Sequence, residues 1–456
     1  MTTTYDVKFW TVYRNKSSKT PSYVARWQVG GRRKTKTYRT KALAESFLSD
    51  LRQAAKRGEA FDVDTGLPES MLKAKNAATW FEFVQAYVAT KWPHLAAKSR
   101  DSMTDALATV TPALTKDEPG KPSIETLRAA LRRHALLPED RRAGPDTEIS
   151  AALRWLQRAS LSVRALEDSS TVHAALNALS LTMDGKRAAT TTYRRKRAVF
   201  YNVIEYAVEL EELADNPLDR VKSKRRSLKI AQEVDRRAVV NPQQAKELLT
   251  AVTYCGRTRG EHMRAMFACM YYGGLRPAEA LGLRETDCLL PGEGWGSLTL
   301  ERTRPQAGKQ WTDSGETHDD RGLKHRADRE TRHVPIPPEL VAILREHIDA
   351  HGASADGRLF RTSKGRPFAA SAINGVWSQA RTLAFTPAQV LSPLAQTPYD
   401  LRHAAVSLWL NAGVAAPDVA ERAGHSVDVL LKVYAKCIDG QREIANRRIE
   451  AALGIQ

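Results

Sequence analysis

Apolar and polar positions follow different periods along the chain. Tyr23, Ala25, Trp27 and Val29 alternate with polar residues, the period-2 pattern of a half-buried strand. Gly30-Gly31 marks a tight turn, and Arg32–Tyr38 is the predicted partner strand. From Lys41 the period turns helical, with Phe47, Leu51 and Ala54 on one face. Residues 61–75, with Gly66 and Pro68, read as a polar linker. Thr79 and Glu82 then form a capping-box pair at the start of a helix. Its apolar face is Trp80, Phe83, Val84, Tyr87 and Val88. Further helices are expected near 98–110, 123–136, 147–158 and 170–180, with a loop at 137–146. The longest is expected at 190–212, burying Val199, Val203, Tyr206 and Leu210 and stopped by Asn216-Pro217. After a charged stretch at 220–238, Asn241 caps a helix that opens on Pro242. The rest is mainly helical, with a short sheet at about 297–302 and 331–336. The predicted fold class is multidomain, mainly α with small β-sheets. It comprises a sheet-plus-helix module (1–62), an all-helical domain (76–220), a basic linker (221–240) and a mixed α/β, mostly α domain (241–456).

Charge changes the picture. The 456 residues carry 70 Lys and Arg against 52 Asp and Glu, a formal net charge of +18 that points to a polyanionic partner. The expected strand pair carries Arg32, Arg33, Lys34, Lys36 and Arg39, which suits a ribbon lying in a major groove or, equally, a solvated hairpin. The start of the long helix carries Arg194, Arg195, Lys196 and Arg197, and the linker carries Lys224, Arg225 and Arg226. Laid on DNA, these would meet phosphates. No basic amphipathic anchor, secretory signal or membrane-length apolar run stands out, so no membrane partner is expected. The four cysteines (Cys255, Cys269, Cys288, Cys437) form no CxxC pair, so a cytoplasmic protein with reduced thiols is expected. His318, His325 and His333 lie in a charged stretch without cysteine partners, and neither metal nor cofactor is expected there.

Four segments carry candidate chemistry. Tyr271-Tyr272-Gly273-Gly274-Leu275-Arg276-Pro277-Ala278-Glu279-Ala280 places Arg276 where one helix ends and another begins, with Glu279 placed to orient it. Leu323-Lys324-His325-Arg326 precedes a strand, Thr331-Arg332-His333-Val334-Pro335-Ile336-Pro337. Pro398-Tyr399-Asp400-Leu401-Arg402-His403 opens a helix with Arg402 in its first turn, where an anion is favoured. Ala423-Gly424-His425-Ser426 ends one helix and starts the next, which carries Tyr434. Taken singly, each has an ordinary reading: a surface arginine, a solvated lysine, a polar helix start, a core tyrosine.

Together and in this order, GGLRPAEA, LKHR…RHVPIP, PYDLRHAAVSLWLNAGV and GHSVDVLLKVYAK resemble the tyrosine recombinase (phage integrase) family, particularly integrases of actinobacterial mobile elements. The resemblance covers about 240–440. More loosely, 76–220 resembles the family's core-binding domain and the N-terminal module its arm-type-site domain. The resemblance implies an active-site set of Arg276, Lys324, Arg402, His425 and Tyr434. Where the family often has His-x-x-Arg, this chain has Tyr399-Asp400-Leu401-Arg402, so Tyr399 offers a second phenol near the phosphate. The implied reaction is attack by Tyr434 on a phosphodiester, giving a 3′-phosphotyrosyl link and a free 5′-hydroxyl. Arg276 and Arg402 would clamp the phosphate, His425 would donate a hydrogen bond, and Lys324 would protonate the leaving oxygen. The implied partners are double-stranded DNA at attachment sites and three further copies of the chain, with a directionality factor as a candidate. Ala445, Ile449, Ala452 and Leu453 give 441–454 a small apolar face that could dock on a neighbouring subunit or on its own domain. A type IB topoisomerase shares this chemistry, and a DNA-binding protein with a decayed site is the alternative from another class.

Overall fold

The computed structural model describes residues 2–15, 22–76, 78–142, 144–221, 233–323, 330–434, 437 and 441–454. Lys324 and the linker residues Lys224, Arg225 and Arg226 lie outside the described residues. The chain forms two compact units: Met1–His94 with Ser102–Lys222, and Leu95–Asp101 with Ser223–Gln456.

The first unit begins with an antiparallel sheet centred on Ser22–Val29. This strand pairs with Val7–Phe9 and Tyr13–Asn15 on one side and Arg32–Tyr38 on the other. The hairpin register runs from Val29 opposite Arg32 to Tyr23 opposite Tyr38. Gly30 and Gly31 take positive φ (53° and 80°), which a two-residue hairpin turn requires and glycine supplies without a steric penalty. Ala25, Trp27 and Val29 are buried against Ala44, Leu48, Leu51 and Ala54 of the Lys41–Lys56 helix. Phe47 meets the Trp27 ring edge-on at 5.3 Å.

The expected linker at 61–75 is corrected by the structure. Phe61–Asp62 pairs with Thr3–Thr4, and a helix runs over Glu69–Asn76. Phe61 is fully buried in the N-terminal core, and Trp27 Nε1 donates to the Gly66 carbonyl at 2.5 Å. The segment is polar because its turn is closed by side chain–backbone bonds, such as Thr65 N–H to Asp62 Oδ1 at 2.7 Å.

Helices follow at Trp80–Lys91, Ile124–Ala130, Thr147–Ala159, Ser169–Ser180 and Thr190–Glu209. The Thr79–Glu82 capping box forms. The long helix buries Lys196, Phe200, Val203, Ile204 and Ala207, a stripe displaced from the expected one. Val199 and Tyr206 are only partly buried and Leu210 is exposed beyond the helix end. The cause is Asp105, which receives Arg128 and also draws in Lys196 (3.4 Å) and Arg195 (3.3 Å). Lys196 turns inward to this carboxylate, carrying the helix face with it.

The second unit packs Pro242–Thr253, Arg259–Tyr272, Pro338–His351 and Ala370–Ala384 around a large apolar core. The sheet expected near 297–302 and 331–336 is present as Gly296–Leu300 antiparallel to Arg332–Ile336, with Cys288–Leu289 on the other edge. A smaller core gathers Val234, Val406, Leu410, Val419, Ala423, Leu430 and Tyr434. On the Gln441–Ala452 helix, Ile449 is exposed, as is Leu453 just beyond it, while the Ala445 side chain is outside the description. Among the described residues, no helix is long and apolar enough to cross a membrane.

Candidate active site

The Arg259–Tyr272 helix stops at Gly273-Gly274, and the chain re-enters a helix at Pro277–Gly282 with Arg276 as its N-cap. Gly274 adopts φ +60°, and a side chain there would run into the Trp409 ring. Glu279, three residues into the new helix, accepts from the Arg276 backbone N–H at 2.7 Å and from Arg276 Nη1 at 2.6 Å. The arginine–carboxylate pairing expected from spacing is therefore present. Glu279 has 0% exposure, and it also takes a bidentate pair from Arg332, with Nη1 at 3.0 Å and Nη2 at 2.7 Å. Arg402, on the Asp400–Asn411 helix, brings Nη1 to 4.0 Å from the same carboxylate.

Three guanidiniums thus surround one carboxylate in a buried place. Burial alone would raise the Glu279 pKa, but Arg332, Arg402 and Arg276 together pull it down to about 2. The carboxylate stays ionised, and the cluster keeps an excess of positive charge. Backbone carbonyls take up part of it. Gly424 O accepts from Arg276 Nη2 at 2.7 Å, Ala423 O accepts from Arg332 and Arg402, and Gly274 O accepts from Arg402. Ala423 and Gly424 end the Ala416–Ala423 helix, whose unpaired carbonyls and negative dipole end favour cations. Gly424 takes the left-handed conformation (φ 63°, ψ 49°) that turns the chain here.

His425 follows at once. Arg402 Nη2 lies 2.7 Å from His425 Nε2, and a guanidinium can only donate, so Nε2 is the acceptor. Burial, reinforced by Arg402 and Arg276, lowers the His425 pKa to about 3. The neutral ring therefore carries its proton on Nδ1, which is buried with no protein partner.

Tyr434 ends the Val427–Tyr434 helix and is fully buried. Burial raises its pKa well above the usual phenol value, and Arg402 opposes that rise. Its Oη lies 2.9 Å from His403 Nδ1. His403 is itself kept neutral, its pKa lowered to about 4 by burial and then by Arg402. Tyr399 meets the His403 ring edge-on at 4.9 Å. An open cleft of about 1690 Å³ runs past Tyr399, His403, His425 and Tyr434 and is bounded opposite by the 233–238 segment. Val234 N–H donates to the Val433 carbonyl at 2.9 Å, so this segment lies along the tyrosine's helix.

Arg276, Arg402, His425, Tyr434 and Tyr399 are thus brought together, while Lys324 is outside the description. Two residues were given no role from sequence, Arg332 and His403. Both stand inside quoted motifs (RHVPIP and DLRHAA), and neither motif says what its side chain faces. In the other unit, Arg32 pairs with Asp64 at 2.6 Å, Lys34 Nζ donates to the Asp64 carbonyl, and Lys36 lies 4.6 Å over the Phe47 ring. Arg33 and Arg194 are exposed, and Arg197 is half-buried.

Residues 238–439, a span holding every side chain of this cluster, match the phage integrase family. This region belongs to the phage integrase family. The phage integrase match takes in all four motifs in order, including the segment around Lys324. A curated relative, "Tyrosine recombinase XerC" of Nitrobacter winogradskyi, is 26% identical over 180 residues, covering 39% of this chain. The match spans 46% of that relative, a little under half its length. Similar solved structures are distant. A Tn1549 transposon integrase in complex with a circular intermediate DNA has 15% identity and TM-score 0.47, covering 68% of this chain and 96% of that one. A lambda integrase dimer bound to a COC′ core site has 12% identity and TM-score 0.45, covering 91% of each chain.

Proposed function

We propose that this chain is a site-specific DNA recombinase, an integrase that cuts and rejoins strands through a 3′-phosphotyrosyl link at Tyr434 to insert or excise a mobile element. The observation that carries this reading is the buried, positively charged cluster of Arg276, Arg332 and Arg402 beside the Tyr434 hydroxyl. A phosphodiester gathers negative charge on its non-bridging oxygens during attack, and preorganised donors in a dry site stabilise it strongly. Arg276 and Arg402 supply guanidinium N–H groups, and the unpaired His425 Nδ1–H adds a further donor. Tyr434 Oη bonds to phosphorus, the bond to the 5′-oxygen breaks, and Lys324 gives that oxygen its proton. The covalent link conserves the phosphodiester's energy, so a 5′-hydroxyl from another strand reverses the step without nucleotide hydrolysis.

Tyr434 has no exposed surface, so the phenol must be uncovered before it meets a phosphate. Synapsis of duplex attachment sites by four copies of the chain, with a directionality factor setting the outcome, is the assembly this chemistry calls for. The Arg32, Arg33, Lys34 and Lys36 strand would hold a second DNA site. Arg194, Arg195, Arg197, Lys224, Arg225 and Arg226 would meet phosphates near the exchange point. Tyr399 packs on His403 and is the reserve phenol.

The test is covalent capture from a library of nicked duplexes with randomised flanks, recovering DNA that stays on the denatured protein. Wild type and Tyr399→Phe are expected to capture DNA and Tyr434→Phe none. Capture by Tyr434→Phe would move the nucleophile elsewhere. A wild type that binds duplex but captures nothing would make this a DNA-binding protein, and relaxation of supercoils without paired sites would make it a topoisomerase.

A further inference from the structure

We infer that His403 is a catalytic residue: its Nδ1 takes the proton from Tyr434 Oη as the phenol attacks phosphorus and hands it back when the strand is rejoined. The inference rests on the recombinase reading above and adds the missing proton acceptor to it. The chain has a tyrosine at 399, where the family often has a histidine, and a phenol is a poor base at neutral pH. One helical turn further on, at the i+4 position of the same helical segment, stands His403. Its Nδ1 is 2.9 Å from Tyr434 Oη, within the reach a general base needs. Tyr399 holds the imidazole from the other side, ring edge to face, at 4.9 Å.

In cleavage the Oη–P bond forms, the P–O5′ bond breaks, the phenol proton moves to His403 Nδ1, and the 5′-oxygen takes its proton from Lys324, the general acid of the proposed function. Rejoining runs each transfer backwards. The imidazole is neutral at working pH and so is free to accept. The groups that govern it are Arg402, whose positive charge lowers its basicity, Tyr434 and Tyr399 in ring contact, and His425 nearby. Asp235, Arg236, Asp400 and Lys432 line the same cleft. A phosphodiester docked on the arginines brings negative charge that offsets Arg402 and raises the imidazole's affinity for a proton. His403 therefore becomes an effective base only with substrate in place.

The experiment is single-turnover adduct formation on a captured duplex, across pH 4–9, with wild type, His403→Gln and His403→Ala. At pH 7 both variants are expected to lose about 100-fold or more, the usual worth of general base catalysis. Their residual rates should climb about tenfold per pH unit as phenolate forms, whereas the wild-type rate stays level around neutral pH and falls on acidification, starting above about pH 4 because the bound phosphodiester raises the imidazole's affinity for a proton. Added imidazole should restore part of the His403→Ala rate. A duplex with a 5′-bridging sulfur, whose leaving group needs no proton, should not restore either variant. Overturning results would be a His403→Gln rate within a few-fold of wild type with an unchanged profile, or full rescue by the sulfur duplex. Loss of duplex binding in both variants without imidazole rescue would make His403 merely structural. If wild type itself forms no adduct, the recombinase reading fails first.

Discussion

Glu279 has no exposed surface and is the anion that three guanidiniums share. Removing its charge leaves Arg276, Arg332 and Arg402 facing one another in a buried place, and breaking a buried pair of this kind costs about 3–5 kcal/mol. Glu279→Gln is therefore expected to lower unfolding stability by that amount in urea titrations and to abolish adduct formation in the protein that remains folded. Arg332→Met is expected to destabilise by a similar amount, because it takes away the bidentate half of the network. Part of this site was legible from residues alone: Arg276 and Glu279 stand three apart, within one turn, and local spacing reports such pairs. Arg332 was not, because it reaches Glu279 across 53 residues of chain, and nothing in RHVPIP distinguishes an inward from an outward arginine.

Among elements, the end of the Ala416–Ala423 helix is the junction on which the site is assembled. Its last carbonyl, Ala423 O, accepts from both Arg332 and Arg402, and Gly424 O accepts from Arg276. Gly424 is at φ +63°, and a methyl group built there would collide with the Arg332 guanidinium. Gly424→Ala is thus expected to cost more than about 1 kcal/mol of stability from backbone strain alone. It should also cut the cleavage rate more than it weakens DNA binding, measured as adduct rate against duplex affinity. Sequence pattern was most reliable where an element carries its own local signals. The Gly30-Gly31 hairpin, the Thr79–Glu82 box and the Asn241-Pro242 start all formed as expected. It failed where a distant partner decided the outcome. The long helix turned its Lys196 face inward because Asp105 lies there, and 61–75 became structured because Phe61 found the N-terminal core.

For the whole molecule, acid stability and salt dependence follow from its charges. His347, His403 and His425 are held neutral at values of about 4, 4 and 3 against about 6.5 when unfolded. Between those limits the unfolded chain binds protons that the native one refuses, so stability rises with pH and falls on acidification. Glu279, lowered to about 2, adds loss of the same sign as pH drops below about 4.5. The second unit is therefore expected to lose stability steadily from pH 6.5 towards pH 4, with His347→Leu narrowing the loss, as read by melting temperature against pH. With a net charge of +18, duplex binding is expected to weaken linearly in log affinity against log salt, with a slope of several units. A slope near zero would remove phosphate contacts as the source of affinity.

The sequence by itself determined the element pattern, the polyanion-seeking charge and four ordered motifs that hold Arg276, Arg402, His425 and Tyr434. These are local properties: periodicity, caps and short spacings are set within a few turns of chain. Only the tertiary structure decided that Arg332 completes the cationic cluster, that His403 faces the Tyr434 hydroxyl across 31 residues, and that Tyr434 lies fully buried in the smaller core. Those contacts exist because packing brings distant segments together in a water-poor interior, where one buried carboxylate and a few backbone carbonyls settle which way each charged side chain must point.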